Sequence, residues 1–304
     1  MKALKLYLLF FILATTITGK IDAYELGIVS LFKNEANYLK EWIEYHRMVG
    51  VDHFLLYDNL SEDNWREVLA PYIEEGLVEV TENWGDPAQK TGFPITWQMN
   101  AYHDGLNKFK DKAKWVAFID IDEFIMPKKH GRVTDCLNRV FSNASGIYVC
   151  WRNFGTNNIY IKPGKPIITR LTGCSAPDQS DNSVGKSIVR PNHVLHCHSP
   201  HFFRLLHDKR YYSGSNNKLH YHANGELAVP YTHTSRYLQV NHYKFRDERF
   251  YKERRLARLV NAGWPTALLE EHYVAFNIVQ NRSMVNFLKK YHRNMYNQFW
   301  STDN

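Results

Sequence analysis

Between residues 25 and 122, short apolar segments alternate with longer segments whose apolar residues recur at helical spacing. The apolar segments are residues 25–32, 51–59, 76–83 and 114–122. A helix after the first of them is indicated by Leu39, Trp42, Ile43 and Met48. Strands that are almost wholly apolar and separated by helices predict a parallel sheet with helices on both faces. This part of the chain is therefore expected to be α/β.

Two further helices complete the alternation. One is predicted behind a cap at Ser61 or Asp63, and the other covers residues 96–110. Polar residues follow three of the four predicted strands, at Lys33, Asn34, Glu35, Asp58, Asn59, Asp120 and Asp122. Ligands of open α/β sheets bind beyond the carboxyl ends of the strands. We therefore expect these side chains to gather at one ligand-binding edge.

The rest of the chain is less regular. Residues 145–155 and 165–172 are predicted strands, and the basic segments 246–263 and 284–300 are predicted helices. A 304-residue chain that is 44% hydrophobic can form a substantial core. We expect one domain over residues 25–304, with a ligand-binding half to residue 130 and a looser half from residue 131.

The first 24 residues are set apart from this domain. Lys2 and Lys5 precede an apolar run from Leu6 to about Thr18, which is shorter than the roughly 20 residues of a membrane span. A cleavable signal peptide is the first interpretation, a short membrane anchor is the second, and a buried N-terminal element is the third. The first two imply a secretory or membrane-associated location rather than a cytoplasmic one.

The segment KWVAFIDIDEFIMP ends an apolar strand in acids. Asp120 and Asp122 are one residue apart, so both can reach a single cation where the strand enters a loop. Carboxylate oxygens suit Mg²⁺ or Mn²⁺, which keep positions free for phosphate oxygens. A solvated loop or helix cap is the alternative, but Phe124 and Ile125 hold this loop to the core.

Histidine, lysine and arginine residues are concentrated in the second half of the chain. Nine of the fifteen histidines lie between His193 and His242, and most are expected to bond the backbone while one or two complete a metal shell. Lys186 and the basic stretch 244–258 are suited to neutralising a departing diphosphate. A solvated helix with pairs such as Glu248 and Lys252 is an equally good interpretation of that stretch.

Four motifs, in order, resemble those of the family 92 glycosyltransferases and their bacterial relatives grouped with family 2. They are KNEANYLKEWIEYHRMVGVDHFLLYDNLSED, KWVAFIDIDEFIMP, GKSIVRP and VNHY. The resemblance implies a GT-A fold, with a mostly parallel Rossmann-like sheet flanked by helices and a looser acceptor-binding half. It also implies an inverting enzyme that uses Mn²⁺ or Mg²⁺ and a UDP-sugar, with galactose as the best guess.

The resemblance also implies roles for individual residues on the donor side. The nucleoside would be held by Asn34, Glu35 and Asp58, and the diphosphate region would include Lys186 and Arg246. The metal ligands would be Asp120, Asp122 and His242, with His201 in reserve. The family often has H-Y-x-x-K-S where this chain has HYKFRD, so Asp247 replaces the serine.

On the acceptor side the resemblance points to WRNFGTN, where Trp151 or Phe154 could stack on a sugar; a core role for Trp151 is an equal alternative. An inverting reaction needs a base that removes the proton of the acceptor hydroxyl. The sequence does not identify this base, and the candidates are Glu123, Asp181 and Asp208.

Two other functions fit parts of the sequence. A phosphohydrolase could use the same acids, but the haloacid dehalogenase type needs a threonine where this chain has Glu123 and Phe124. A non-catalytic glycan or nucleic-acid binder could use the basic, aromatic C-terminal region. The excess of positive charge is only +7, and strand-end carboxylates repel phosphate. A nucleotide-sugar donor and a glycan acceptor, and no nucleic acid, are the expected partners.

Overall fold

The computed structural model describes residues 23–86, 95–229, 235–261 and 263–301. The predicted signal or anchor segment lies outside these ranges, apart from its last two residues. The first half contains β1 (Tyr24–Phe32), α1 (Ala36–Met48), β2 (His53–Asp58), α2 (Trp65–Glu74), β3 (Val78–Thr81), α3 (Ile95–Phe109), β4 (Ala113–Phe118) and β5 (Glu123–Pro127).

The second half has shorter elements. It contains α4 (Val133–Val140), β6 (Gly146–Asn153), β7 (Gly173–Cys174), β8 (Gly185–Val189), β9 (Val194–Cys197), β10 (Phe203–Leu205), β11 (Tyr211–Ser213), β12 (Lys218–Leu219), β13 (Leu238–His242), α5 (Glu248–Phe250), α6 (Ala257–Asn261), α7 (Thr266–Ala275), β14 (Val279–Gln280), α8 (Ser283–Tyr291) and α9 (Arg293–Met295). A π-helical segment, Tyr251–Leu256, joins α5 to α6, and another, Tyr296–Trp300, follows α9. No helix within the described ranges is both long and apolar enough to cross a bilayer.

The central sheet confirms the predicted α/β class. Strands β3, β2, β1 and β4 lie side by side and run parallel, as the alternation of strands and helices predicts. Beyond β4 the sheet is mixed, because β8 is antiparallel to both β4 and β6. Strand β13 then pairs parallel with β6 and antiparallel with β5, which brings its last residue, His242, opposite Glu123 and Asn153.

Helices cover both faces of the sheet. Along β1 the alternation of side chains sends Ile28 into the core beneath α1 and α2, and Val29 into the core beneath α3. A Cβ added to Gly105 in α3 would lie 2.7 Å from the Val29 methyl groups. The glycine therefore lets α3 lie close to β1, and this places Gln98 and Tyr102 of α3 at the carboxyl edge of β4.

Two local predictions are wrong. Residues 165–172 form turns instead of a strand, and the backbone N–H groups of Ile167 and Ile168 donate to the Glu41 carboxylate rather than to a sheet. Ser61 and Asp63 do not cap α2, which begins at Trp65 after Asn64. Their side chains accept hydrogen bonds from the backbone N–H groups of Asn34 and Ala36, so they fasten the loop that follows β1.

Candidate active site

The turn after β4 carries Asp120 and Asp122, which together form a D-x-D motif and are called the D-x-D acids below. The indole N–H of Trp42 donates to the carbonyl oxygens of Asp120 (3.1 Å) and Glu123 (2.9 Å). The carbonyl oxygen of Asp122 accepts a bond from the backbone N–H of Tyr243, at 2.8 Å. Helix α1 and the segment after β13 therefore hold the backbone of this turn from both sides.

Glu123 belongs to the scaffold of the turn. Its Oε2 accepts the backbone N–H of Asp120 at 2.7 Å, and the residue is 0% exposed. Burial raises the pKa of Glu123 to about 8, and the negative charge of Asp120 acts in the same direction, while Lys186 opposes it. A carboxyl without solvent contact cannot reach an acceptor hydroxyl. The structure therefore argues against the proposed role of Glu123 as catalytic base.

Asp120 is held by neighbours from α3 and β8. Its Oδ1 accepts from Gln98 Nε2 at 2.6 Å and from the Tyr102 hydroxyl at 3.4 Å, and its Oδ2 lies 3.0 Å from Lys186 Nζ. Burial alone would raise the pKa of Asp120, but the adjacent Lys186 ammonium outweighs it, so the pKa lies below its usual value. Asp120 is thus an ionised carboxylate with a polar contact to each oxygen, and 34% of its side chain stays exposed. Lys186 meets the acids rather than open solvent, since it is 2% exposed.

Asp122 faces the second half of the chain. Its Oδ2 lies 2.9 Å from a terminal nitrogen of Arg246 and 3.6 Å from Nε2 of His242. The other terminal nitrogen of Arg246 donates to both carboxylate oxygens of Glu35, at 2.8 Å each. Arg246 adopts a left-handed backbone conformation with φ of 52°, and its guanidinium lies 4.8 Å from the centre of the Tyr38 ring. It therefore bridges acids from the ends of β1 and β4.

His242 is a buried imidazole. Its Nδ1 lies 3.0 Å from Oδ1 of Asn153, and its ring centre is 4.3 Å from that of Trp151. Burial lowers the pKa of His242 well below its usual value, and the nearby Lys244 cation lowers it further. His242 is therefore neutral at physiological pH, with Nε2 turned toward Asp122.

His201, the reserve metal ligand, is close but differently engaged. Its Nδ1 lies 2.9 Å from the carbonyl oxygen of Gly185, and its ring stands 5.6 Å from that of Trp151. Burial and then Lys186 lower the pKa of His201 to about 4. Among the described residues, no group of three or more histidine, cysteine or acidic side chains surrounds one metal position. The four predicted ligands thus share a neighbourhood without forming a closed shell.

The predicted nucleoside residues lie where β1 and β2 end. Phe32 of β1 pairs with Asp58 of β2, so the two following loops begin side by side. Asn34 accepts the backbone N–H of Glu62 at 2.7 Å, and buried Asp58 accepts that of Ser61 at 2.9 Å. Through Glu35 and Arg246 this edge continues to Asp122. The strand-end polar groups therefore do gather at one edge, as predicted.

The two residues predicted to contact the acceptor, Trp151 and Phe154, differ in burial. Trp151 is half-buried beside His242 and His201, so contact with an acceptor stays a prediction. Phe154 is 1% exposed and stacks on Tyr243 with ring centres 4.6 Å apart. A side chain enclosed in this way offers no face to a sugar, so the prediction for Phe154 is wrong.

The other candidate bases are also engaged. Asp181, in the second half of the chain, lies 3.3 Å from Nε2 of His272 and within electrostatic range of Lys244. Asp208 is 72% exposed and pairs with its neighbour Lys209 at 2.9 Å. No interaction among the described residues joins Asp208 to the D-x-D acids, which argues against it. Asp181 keeps its place as a prediction.

Sequence reasoning missed four polar residues here: Gln98, Asn153, Asn182 and Arg255. The Nε atom of Arg255 is buried and has no hydrogen-bond partner in the described part of the chain. Burial, then Arg258 and Arg246, lowers the pKa of Arg255 to about 10, and Glu35 and Asp120 are close enough to oppose this. The excess of cations in residues 244–258 pointed to this stretch, but only the π-helical segment brings Arg255 inward.

Known proteins resemble this chain. A family 92 glycosyltransferase of Oryza sativa subsp. japonica is 26% identical over 251 residues, 80% of this chain and 37% of that protein. A galactan beta-1,4-galactosyltransferase of Arabidopsis thaliana is 34% identical over 119 residues, 37% of this chain and 23% of that protein. The chain thus spans well under half the length of both relatives. The crystal structure of S. aureus TarS 1-349 superposes with a TM-score of 0.39 at 13% identity, covering 92% of this chain and 76% of that one.

The family model described as Glycosyltransferase family 92 matches residues 27–262. This match covers most of the chain, from β1 to the end of α6, and includes every residue of the cluster around Asp122. The chain therefore belongs to glycosyltransferase family 92.

Proposed function

We propose that the chain is a metal-dependent, inverting glycosyltransferase that moves a sugar from a UDP-sugar to a glycan acceptor hydroxyl. The observation that carries this proposal is the cluster of Asp122, His242, Arg246 and Glu35 at the carboxyl edge of the sheet of a family 92 chain. Galactose is the favoured sugar, because the Arabidopsis relatives are named galactan beta-1,4-galactosyltransferases.

The residues present fit a divalent cation through two donors. The carboxylate oxygen of Asp122 and the Nε2 of neutral His242 face each other at 3.6 Å, with no hydrogen bond between them. Oxygen and imidazole donors suit Mn²⁺, and oxygen-rich completion of the shell suits Mg²⁺ as well. Such an ion would supply charge neutralisation of a diphosphate. Asp120, which pairs with Lys186 and is 34% exposed, stays a predicted ligand of the same ion.

The chain itself supplies the rest of the chemistry. Arg246 and Arg255 place positive charge beside the predicted diphosphate position, which favours departure of the UDP group. Lys186 keeps Asp120 ionised and fixed, and buried Glu123 shapes the turn that presents Asp122. Trp151 lines the side from which an acceptor sugar would approach. The base that receives the hydroxyl proton is unassigned, with Asp181 as the surviving candidate.

The test uses the whole chain with Mn²⁺, UDP-galactose and β-1,4-galactan oligosaccharides. We expect sugar transfer that requires the metal, release of UDP, and loss of activity in Asp122→Ala. Glu75→Ala, which removes an exposed carboxylate paired with Arg47, is the matched control and should retain activity. Full activity of Asp122→Ala would rule out the proposed metal site. A mass-spectrometric screen of UDP- and GDP-sugars identifies the donor if galactose is not transferred.

A further inference from the structure

A buried chain of two amides lies behind His242. Asn153, the last residue of β6, and Asn182, in a short 3₁₀ helix, are both 0% exposed. Oδ1 of Asn153 lies 3.0 Å from Nδ1 of His242, and Nδ2 of Asn153 lies 3.2 Å from Oδ1 of Asn182. The proposed metal site therefore rests on a continuous line of polar contacts inside the protein.

Backbone groups determine how these amides are oriented. Nδ2 of Asn182 lies 2.7 Å from the carbonyl oxygen of Ala176, which can only accept a hydrogen bond. Oδ1 of Asn182 lies 3.2 Å from the backbone N–H of Asn153, which can only donate. These two contacts leave one orientation for the Asn182 amide. Its oxygen faces Asn153, so Asn153 must turn its own NH₂ group toward Asn182 and its oxygen toward His242.

The orientation of the Asn153 amide determines the tautomer of His242. Oδ1 of Asn153 has no hydrogen to give, so Nδ1 of His242 must carry the hydrogen of this contact. In a neutral imidazole the other nitrogen, Nε2, is then an acceptor, and it is this atom that lies 3.6 Å from Oδ2 of Asp122. The Ala176 carbonyl thus determines, through the orientations of Asn182 and Asn153, which nitrogen of His242 carries the hydrogen.

We propose that Asn182 and Asn153 are positioning residues that hold His242 in the Nδ1–H tautomer and keep its Nε2 lone pair directed at the Asp122 carboxylate. The inference rests on the proposed metal-dependent function. The Asp122 oxygen, which Arg246 also contacts at 2.9 Å, and the Nε2 lone pair face each other across 3.6 Å, and both can act as ligands of one cation. The amide relay prevents His242 from donating its own hydrogen there. Trp151, with its ring 4.3 Å from that of His242, limits rotation of the imidazole.

The orientation is tested directly by nitrogen-15 NMR of the histidine side chains, with the His242 signals assigned by their loss in His242→Gln. We expect the wild-type protein to carry its hydrogen on Nδ1. Asn153→Ala and Asn182→Leu should give a mixture of tautomers. Ser175→Ala is the matched control: it removes a 2.8 Å bond to Oδ1 of Asn182 but leaves both orienting backbone groups, so the wild-type tautomer should persist.

The consequence for the metal is measured separately, as the affinity of the same proteins for Mn²⁺ in the presence of UDP. Loss of an orienting partner of a histidine ligand typically costs about 10–100-fold in metal affinity. We expect a loss of that size in Asn153→Ala and Asn182→Leu, and a loss of no more than about twofold in Ser175→Ala. Thermal unfolding in the absence of metal identifies any variant that is not folded, and Asn182→Ala, which also removes the amide oxygen that faces Asn153, then replaces Asn182→Leu.

The outcomes separate the inference from the function on which it rests. A wild-type hydrogen on Nε2, or variants that keep the wild-type tautomer, overturn the relay. Mixed tautomers with unchanged Mn²⁺ affinity overturn the role of the relay in metal binding. A wild-type protein that has the Nδ1–H tautomer but binds no Mn²⁺ with UDP overturns the proposed metal site, while the orientation of His242 stands.

Discussion

The ion pair between buried Lys186 and partly exposed Asp120 makes the sharpest energetic prediction. Lys186 Nζ lies 3.0 Å from Asp120 and 3.9 Å from Glu123, and both Lys186 and Glu123 are almost wholly enclosed. Replacing Lys186 by methionine keeps most of the side-chain volume and removes the charge. Asp120, whose side chain is 34% exposed, and enclosed Glu123 would then face each other without a cation. Breaking a fully buried pair typically costs about 3–5 kcal/mol, and partial access of solvent to Asp120 places the expected loss at the lower end of that range.

The measurement is the free energy of unfolding from urea denaturation at pH 7, with Lys114→Met as the control. Lys114 lies 3.1 Å from Glu25, a similar distance, but both side chains are about one-third exposed. Solvent screens such a pair, so the control should lose about 1 kcal/mol or less. Adding Asp120→Asn to Lys186→Met should recover part of the loss, because it removes the charge of Asp120, while Glu123 with its pKa of about 8 is already mostly protonated at pH 7.

The pH dependence has a definite sign. Lys186 holds the pKa of Asp120 below its usual value, so this carboxylate contributes stability above the unfolded-state pKa, and that contribution is lost as pH falls through the folded-state pKa. Lys186→Met should weaken this loss of stability in acid. Equal destabilisation by Lys186→Met and Lys114→Met would refute the reasoning, since burial would then make no difference to the pair.

Three further predictions follow from the same contacts. Burial raises the pKa of Glu41 from 4.5 to about 7. Its contribution to stability is therefore present below the unfolded-state pKa and lost as pH rises through about 7, and Glu41→Gln should flatten the unfolding free energy between pH 4.5 and about 7. Arg255→Ala should weaken UDP binding about tenfold or more in calorimetry without changing uridine binding, whereas the control Arg47→Ala, which removes an exposed guanidinium paired with Glu75, should leave UDP binding unchanged. Phe154→Ala should cost about 3–5 kcal/mol in stability without a specific rise in acceptor KM, whereas Trp151→Ala should raise that KM.

Much of the first half follows from local sequence patterns. The alternation of apolar and helical segments predicted β1 to β4 with their helices, because side-chain periodicity is a local property that a parallel sheet between helix layers imposes. The strand-end acids were likewise predictable, since parallel strands present their carboxyl ends at one edge. The four motifs pointed to family 92, which the family match confirms.

Other features depend on contacts between distant parts of the chain. Arg246 meets Glu35 across 211 residues, and Asn153 meets His242 across 89, so no local pattern could choose these partners. Residues 165–172 have the composition of a strand, but the backbone N–H groups of Ile167 and Ile168 donate to the Glu41 carboxylate of α1 instead of to a neighbouring strand. Helical and strand periodicity predicted where the site lies, because that depends on which faces are apolar. Only the tertiary structure decided which charges at the site are neutralised, because the partner of each buried polar group is the side chain that packing places beside it, at any distance along the sequence.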